Sequence, residues 1–266
     1  GNFTHIMFCF SSGGGTGSGI SPVLVNNMIK RADDIDFGVI CALPSKNEHP
    51  KAKYNSYECC KELQMIQNLK NIYLINNELT NFQSTSSSLD MINQLFAMRF
   101  DNAMLLVDTD DTGNVDETEM RAALSIGGCC TFADIIQSRE GDVSLENEDI
   151  MLPLGKGCGF ILYSINDETK FKNLQETVHD RFGMPPIYKQ GKGIDNSVTV
   201  FGLPFPKQYI NEMGASYSQD VETIQNIEEE DIDLMDIKYV DPIAQKRKHA
   251  TLAVKTQQLL DEFEEF

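Results

Sequence analysis

The chain has 266 residues, of which 41% are hydrophobic, and it carries a formal net charge of −18. This length suffices for one large domain or two ordinary ones. The excess of carboxylates argues against direct binding to nucleic acid or to an anionic membrane, because both need basic surfaces. No apolar stretch is long enough to cross a membrane and no signal peptide is evident, so the sequence predicts a cytoplasmic protein. The seven cysteines are odd in number and lack C-x-x-C spacing, which favours reduced thiols over disulfides or a metal site.

Residues 13–19 form a glycine-rich run that reads Gly-Gly-Gly-Thr-Gly-Ser-Gly. The run follows a strand-like apolar segment, 6–10, and precedes a helix predicted over 20–33, with Pro22 in its first turn. Backbone N–H groups of such a loop can approach an anion closely, and the helix N-terminus adds partial positive charge. The pattern therefore predicts a phosphate-binding loop made of Gly13, Gly14, Gly15, Thr16, Gly17, Ser18 and Gly19.

The segments after the glycine run alternate between strands and helices up to about residue 127. Strands are predicted at 37–43 and 72–75, and helices near 55–68 and 88–107. This order is typical of a parallel sheet with right-handed crossovers. The sequence thus predicts an α/β domain over 1–127.

The pattern changes beyond this point. Two strands and two helices are predicted there, at 159–165, 197–203, 170–182 and 206–213. They indicate a smaller α+β domain over 128–217. Acidic residues then open a charged, partly helical tail over 218–266.

Two common phosphate loops do not fit the glycine run. Ser18 stands where the dinucleotide-binding pattern needs glycine, and no lysine follows the glycines as it does in a P-loop. The run resembles instead the signature loop of the tubulin/FtsZ family, which reads GGGTG(S/T)G. This resemblance implies an α/β fold with a parallel-sheet nucleotide-binding domain, a central helix and a smaller α+β C-terminal domain. It also implies GTP or GDP as the ligand, together with Mg²⁺.

In a complete domain of this family, several strands precede the signature loop. The sequence begins only five residues before its first predicted strand. The resemblance therefore leads us to expect an N-terminally truncated GTPase domain, in which the predicted helix 88–107 is the central helix.

Two residues match positions that reach the sugar side of the nucleotide in the family. Glu48 follows Pro44 by four residues, which matches the FtsZ-like spacing of a ribose contact. Asn55 is predicted at the start of the next helix, from which it could also reach the nucleotide. The alternative for Glu48 is an ordinary solvated loop carboxylate.

Two further positions match residues that contact the base in the family. Residues 75–78 read Ile-Asn-Asn-Glu and resemble the tubulin pattern I-D-N-E, so Asn77 matches the position that reads guanine. An amide suits this role because it both donates and accepts hydrogen bonds. Asn93, in the first turns of the central helix, is the second candidate, with Asp90 as its alternative. An ordinary turn after a strand is the other interpretation of Asn77.

Residues 113–119 read Gly-Asn-Val-Asp-Glu-Thr-Glu and resemble the catalytic loop of the family, which in FtsZ reads N-V-D with an acid three residues on. The resemblance implies that Asn114, Asp116 and Glu119 enter the nucleotide site of a neighbouring subunit and act there on the water that attacks GTP. Hydrolysis would then take place between subunits of a head-to-tail filament.

Two other interpretations compete for this loop. Asp116 and Glu119 have the spacing of a helix capping box, which is compatible with catalysis. Asp108, Asp110, Asp116 and Glu119 also fall at positions 1, 3, 9 and 12 of an EF-hand calcium loop. The calcium hypothesis would make the chain an EF-hand-like binding protein.

Within the family, the sequence looks most similar to the bacterial and phage TubZ-like group, which segregates plasmid or phage DNA. The resemblance implies self-association into filaments, and a DNA-binding adaptor could contact the basic residues 246–249 of the tail. An FtsZ-like cell-division protein and a degenerate module that does not hydrolyse GTP are the alternatives.

Overall fold

The computed structural model describes residues 3–229, except for 33, 46, 78–84, 108–114, 139–141, 147–156, 167–172 and 194. Asn114, Asp108 and Asp110, the tail from residue 230 onward and its basic segment 246–249 lie outside the described residues. Residues 1–218 cluster as one compact unit and residues 219–266 as another.

The first part of the chain alternates strands and helices. These elements are β1 (His5–Ser11), α1 (Gly15–Ile29), β2 (Asp36–Leu43), α2 (Pro50–Met65), β3 (Ile72–Asn76), α3 (Thr85–Leu105) and α4 (Glu117–Leu124). The three strands pair in parallel in the order β1-β2-β3. The parallel α/β arrangement predicted for this part is therefore confirmed.

The second part adds five strands to the same sheet. Its elements are β4 (Cys129–Gln137), β5 (Val143–Glu146), β6 (Phe160–Ile165), α5 (Leu174–Phe182), β7 (Ile187–Lys192), β8 (Ser197–Leu203) and α6 (Lys207–Glu229). The strand order is β1-β2-β3-β4-β8-β6-β7, with β5 paired to β4. β4 joins the two parts, because it is parallel to β3 at two residue pairs and antiparallel to β8. The predicted domain boundary at 127/128 falls just before this junction.

The core lies on both faces of the sheet, because successive side chains of a strand point to opposite sides. On one face, Leu74 and its neighbours pack with buried residues of α1, α2 and α5. On the other face, the ring of Tyr73 stacks on Phe132 at 5.4 Å between centroids and meets the edge of Phe96, on α3, at 5.7 Å. The fold is thus a sheet covered by helices on both sides.

α2 begins at Pro50, earlier than the predicted start near residue 55. The ring nitrogen Nδ1 of His49 accepts the N–H of Lys51 at 3.1 Å and so caps the helix. Proline is favourable in the first turn because its missing N–H has no partner there in any helix. Asn55 consequently lies in the second turn of α2 and not at its start.

β1 lies at one end of the strand order. The helices α1 and α3 expose apolar side chains. Ile20 and Val23 of α1 are 59% and 55% exposed, and Met98 of α3 is 49% exposed. An open strand edge flanked by such side chains is typical of a surface that contacts other polypeptide.

A buried ion pair fixes α3 against the sheet. The guanidinium of Arg99 lies 2.7 Å from the carboxylate of Asp134 on β4, and the Arg99 side chain is only 2% exposed. We expect Asp134→Ala to lower the free energy of unfolding by about 2 kcal/mol, because a buried cation loses a charge-assisted hydrogen bond. Urea denaturation followed by circular dichroism measures this. Glu117→Ala is the matched control, since its ion pair with Arg121 is 72% and 52% exposed and such pairs contribute less than about 1 kcal/mol.

Candidate functional site

The glycine run forms the N-terminus of α1. The helix begins at Gly15, so the predicted start near Ile20 is wrong, and Pro22 lies inside the helix and not in its first turn. Gly14 is the N-cap and has no side-chain capping bond, and the first turn holds no acidic residue. The first N–H groups of α1 are therefore left to a ligand or to water.

The space around the glycines separates those that the fold requires from those that it does not. A methyl group at Gly14, Gly15 or Gly19 would meet no atom within 4 Å. A methyl group at Gly17 would lie 2.3 Å from the carbonyl oxygen of Ser11, at the end of β1. Gly17 thus allows α1 to approach β1, whereas Gly14 and Gly15 leave open space beside the helix N-terminus. That open space is what a bound phosphate needs.

Polar side chains of α2 make hydrogen bonds to the glycine loop and to Ser12 just before it. Asn55 donates its side-chain N–H to the carbonyl oxygen of Gly13 at 3.0 Å. Ser12, which is fully buried, lies 2.7 Å from the hydroxyl of Ser56 and donates to the carbonyl oxygen of Ala42 at 2.9 Å. Asn55 therefore positions the loop. Ser12 and Ser56 were not predicted from the sequence.

Glu48 lies beside the same loop. Its Oε1 atom accepts the N–H of Ser45 at 2.9 Å, which shapes the turn after β2. Its Oε2 atom would lie 3.7 Å from a methyl group placed on Gly13. The structure thus brings together Gly13, Glu48 and Asn55, as the predicted binding site requires.

Asn77 directly follows β3, and its side-chain oxygen Oδ1 is buried without a hydrogen-bond partner in the described structure. Leaving a buried polar atom unpaired costs about 1–3 kcal/mol, so a ligand that donates to this atom would be favoured. Asn93 and Asp90 lie exposed on α3.

The glycine loop, Glu48 and Asn77 follow β1, β2 and β3, respectively. Because the three strands are parallel, their carboxyl ends share one edge of the sheet. Ligands of open α/β sheets bind at this edge. The predicted phosphate, ribose and base contacts therefore lie along one edge of the molecule.

The two predicted acids meet at the N-terminus of α4. Asp116 is the N-cap and accepts the N–H of Glu119 at 2.7 Å, and Glu119 accepts the N–H of Asp116 at 3.2 Å. The capping box anticipated from the sequence is present. Val115, just before it, bridges to Val107 after α3, which brings the two ends of segment 108–114 together.

The other end of α4 contacts the amino ends of two strands. After the last turn of α4, the hydroxyl of Ser125 donates to Asp36, and the side chain of Asn71 donates to the carbonyl oxygen of Leu124. Asp36 starts β2 and Asn71 precedes β3, so α4 ends at the amino edge of the strands.

Lys189 on β7 contacts the carboxylate of Glu119. The hydrogen bond to Glu119 is the main cause that raises the pKa of the Lys189 ammonium above its ordinary value. Both oxygens of Glu119 therefore have partners, Oε2 in the capping box and Oε1 at Lys189. The calcium hypothesis stays a prediction, because Asp108 and Asp110 lie outside the described residues.

Within the described residues, no group of three or more His, Cys, Asp or Glu side chains could hold a metal ion. The seven cysteines are free, and burial raises the pKa of the Cys158 thiol to about 11. Among the helices of the described part of the chain, none is long and apolar enough to cross a membrane.

Comparisons with known proteins agree with this geometry. The tubulin-like protein TubZ of Clostridium botulinum C phage is 27% identical over 157 residues, which cover 57% of this chain and 39% of that protein. The crystal structure of Clostridium botulinum phage c-st TubZ superposes with a TM-score of 0.66 and 19% identity, covering 82% of this chain and 72% of the TubZ chain. The chain is similar in sequence to TubZ and shares its tubulin/FtsZ-like fold. Its matched stretch spans less than half of the curated TubZ protein.

Two further solved structures share this fold. CetZ from Methanosaeta thermophila has a TM-score of 0.60 at 18% identity and covers 99% of this chain and 74% of its own. Bacillus thuringiensis serovar israelensis TubZ, in GDP-form protofilaments, has a TM-score of 0.59 at 17% identity and covers 85% and 68%, respectively. No protein-family model matches the chain. The tubulin/FtsZ-like fold predicted from the glycine run is confirmed.

Proposed function

We propose that the chain is part of a GTPase that assembles head to tail and hydrolyses GTP between successive copies. One observation carries this proposal. The glycine loop lies at the carboxyl edge of β1–β3, whereas Asp116 and Glu119 cap α4, whose last turn bonds to residues at the amino ends of β2 and β3. Head-to-tail stacking would bring these two half-sites of successive copies together.

The residues at the carboxyl edge fit a purine nucleotide. The open N-terminus of α1 suits the phosphates, the Glu48 carboxylate suits a ribose hydroxyl, and the unpaired amide oxygen of Asn77 suits the donor groups of guanine. Mg²⁺ usually binds substrate phosphates and few protein ligands, so we assign it to the nucleotide. When bound there, it neutralises charge on the phosphates.

The residues at the other end fit the hydrolytic half. Asp116 and Glu119 of one copy would orient and polarise the water that attacks the γ-phosphate bound by the next copy, and the family resemblance adds Asn114 to them. Catalysis of phosphoryl transfer depends mainly on such positioning and on charge stabilisation. The capping box helps because it fixes both acidic side chains to one helix end.

The structural neighbours support assembly and nucleotide binding as proposals for this chain. Bacillus thuringiensis TubZ is known as protofilaments and as a two-stranded filament. CetZ2 from Haloferax volcanii forms a protofilament with GTPγS, and CetZ1 from the same organism binds GDP. Plasmid or phage DNA segregation is the cellular role that the TubZ-like resemblance implies, with a DNA-binding adaptor at the tail.

The test of the proposal is phosphate release from GTP measured over a range of protein concentrations, together with GTP-dependent pelleting. We expect the rate per subunit to rise with concentration, because each active site needs two copies. Binding of GTP without turnover would instead support a non-hydrolysing module. Calcium affinity without GTP affinity would support the EF-hand-like alternative.

We expect Asn77→Ala to lower the affinity for GTP by about tenfold, because the base loses a hydrogen-bond partner. Equilibrium binding of a fluorescent GTP analogue, in competition with GTP and ATP, measures both the affinity and the preference for guanine. Asn27→Ala is the matched control, since its side chain donates within α1, to the carbonyl oxygen of Val23. Equal affinities for the two variants would argue against Asn77 as the base contact.

A further inference from the structure

Lys189 is remote in sequence from the two acids at the start of α4, but it lies next to one of them. It lies on β7, which pairs in parallel with β6, and its ammonium contacts the carboxylate of Glu119 on α4. Glu119 lies at the start of α4, and in the proposed assembly this position would place it against the next copy.

The pairing of the sheet determines the direction of the Lys189 side chain. Gly191, two residues further along β7, faces Leu106 at the end of α3, because a methyl group there would lie 3.1 Å from Leu106. Tyr188, on the opposite face of β7, packs against the rings of Tyr163 and His179. Since alternate residues share a face, Lys189 points to the side of the sheet that carries α3 and α4.

The two oxygens of Glu119 are held by different partners. Oε2 accepts the backbone N–H of Asp116 at 3.2 Å, and Oε1 contacts the Lys189 ammonium. Both oxygens of the Glu119 carboxylate are thereby restrained, and the capping box links Asp116 to Glu119. Removal of Lys189 would leave the Glu119 carboxylate held by the capping box alone.

Charge gives Lys189 a second effect. The chain has a formal net charge of −18, and the proposed site brings two carboxylates towards a nucleoside triphosphate. The carboxylates and the phosphates repel each other because both are negative, and the Lys189 cation reduces this repulsion.

We propose that Lys189 is a positioning residue for hydrolysis: it orients Glu119 and offsets its charge when the acid faces the nucleotide of a neighbouring copy. This inference rests on the proposed function. The ion pair contributes little to folding, because its side chains are 41% and 24% exposed and such pairs are weak in water. The effect of Lys189 therefore falls on turnover and not on stability.

The test compares GTP turnover of Lys189→Ala, Lys189→Arg and the wild type above the concentration for assembly. We expect Lys189→Ala to lower kcat on the order of tenfold without changing KM or the affinity for GTP, and Lys189→Arg to restore most of the rate. Lys192→Ala removes the same charge from the opposite face of β7 and serves as the control, with an unchanged rate. Circular dichroism and thermal unfolding confirm that each variant folds.

A double-mutant comparison separates positioning from a general structural effect. If Lys189 acts through Glu119, Lys189→Ala will add little further loss in a Glu119→Gln background. Equal losses in both backgrounds, or a wild-type rate in Lys189→Ala, would overturn the inference while the proposed function stands. A wild-type chain with no turnover at any concentration would overturn the proposed function and this inference together.

Discussion

Replacing Asp116 by asparagine is expected to lower GTP turnover by about a hundredfold while filaments still form and persist. The reason is that asparagine retains the N-cap hydrogen bond to the Glu119 N–H but loses the charge that we propose orients and polarises the attacking water. Phosphate release and pelleting, followed over time after addition of GTP, measure the two effects. The wild type should pellet transiently and the variant persistently.

Two comparisons make this result specific. Glu119→Gln should behave in the same way, because glutamine also completes a capping box. Glu117→Gln is the matched control: it removes an acid from the same turn, but its side chain is 72% exposed and pairs with Arg121, so turnover should stay at the wild-type level. If Asp116→Asn turned over GTP at the wild-type rate, the acids at α4 would not be the hydrolytic groups.

Asp116→Ala should also lower the free energy of unfolding by about 1 kcal/mol, because the helix loses its N-cap.

The features that the sequence predicted depend on short-range patterns. The glycine run, the apolar strands β2 and β3 and the capping box of Asp116 and Glu119 are each encoded within a few neighbouring residues. The helix boundaries were less accurate. α1 begins within the glycine run, because glycines at a helix N-terminus leave the first N–H groups unobstructed, and a propensity argument alone places the start after them.

β7 was not predicted as a separate strand because its sequence, Ile-Tyr-Lys-Gln-Gly-Lys, has little apolar alternation. It lies at the end of the strand order and pairs with β6 alone. The pairing of Lys189 with Glu119 could not be inferred either, since contacts between charges far apart in sequence depend on topology. β4 carries a nearly continuous buried run from Cys129 to Ile135, a pattern typical of a strand covered on both faces, so its signal was present in the sequence.

The fold explains why some site residues escape sequence reasoning altogether. Ser12 and Ser56 lie far apart in the chain, yet their hydroxyls meet below the glycine loop. Neither belongs to the motif, and both act by holding its backbone. Such supporting residues leave no spacing pattern in the sequence, because only the packing of α2 on the sheet brings them together.

Gly17→Ala is expected to be the most damaging single substitution in the glycine run. The added methyl group would lie 2.3 Å from the carbonyl oxygen of Ser11, a backbone atom at the end of β1, so α1 must shift away from the sheet. Overpacking of this kind costs about 3 kcal/mol or more, and the shift also displaces the helix N-terminus that we propose as the phosphate site. Urea denaturation and GTP binding should therefore both be affected.

Gly15→Ala separates folding from binding. A methyl group at Gly15 meets no atom within 4 Å, and alanine is favoured over glycine in a helix by roughly 0.5–1 kcal/mol, so this variant should be at least as stable as the wild type. Its affinity for GTP should nevertheless fall, because the methyl group occupies the space that we assign to phosphate. A Gly15→Ala chain that gains stability and binds GTP like the wild type would show that the open space beside α1 does not hold the nucleotide. Loss of stability in Gly17→Ala alone would then reflect packing of α1 on β1 and nothing about the ligand.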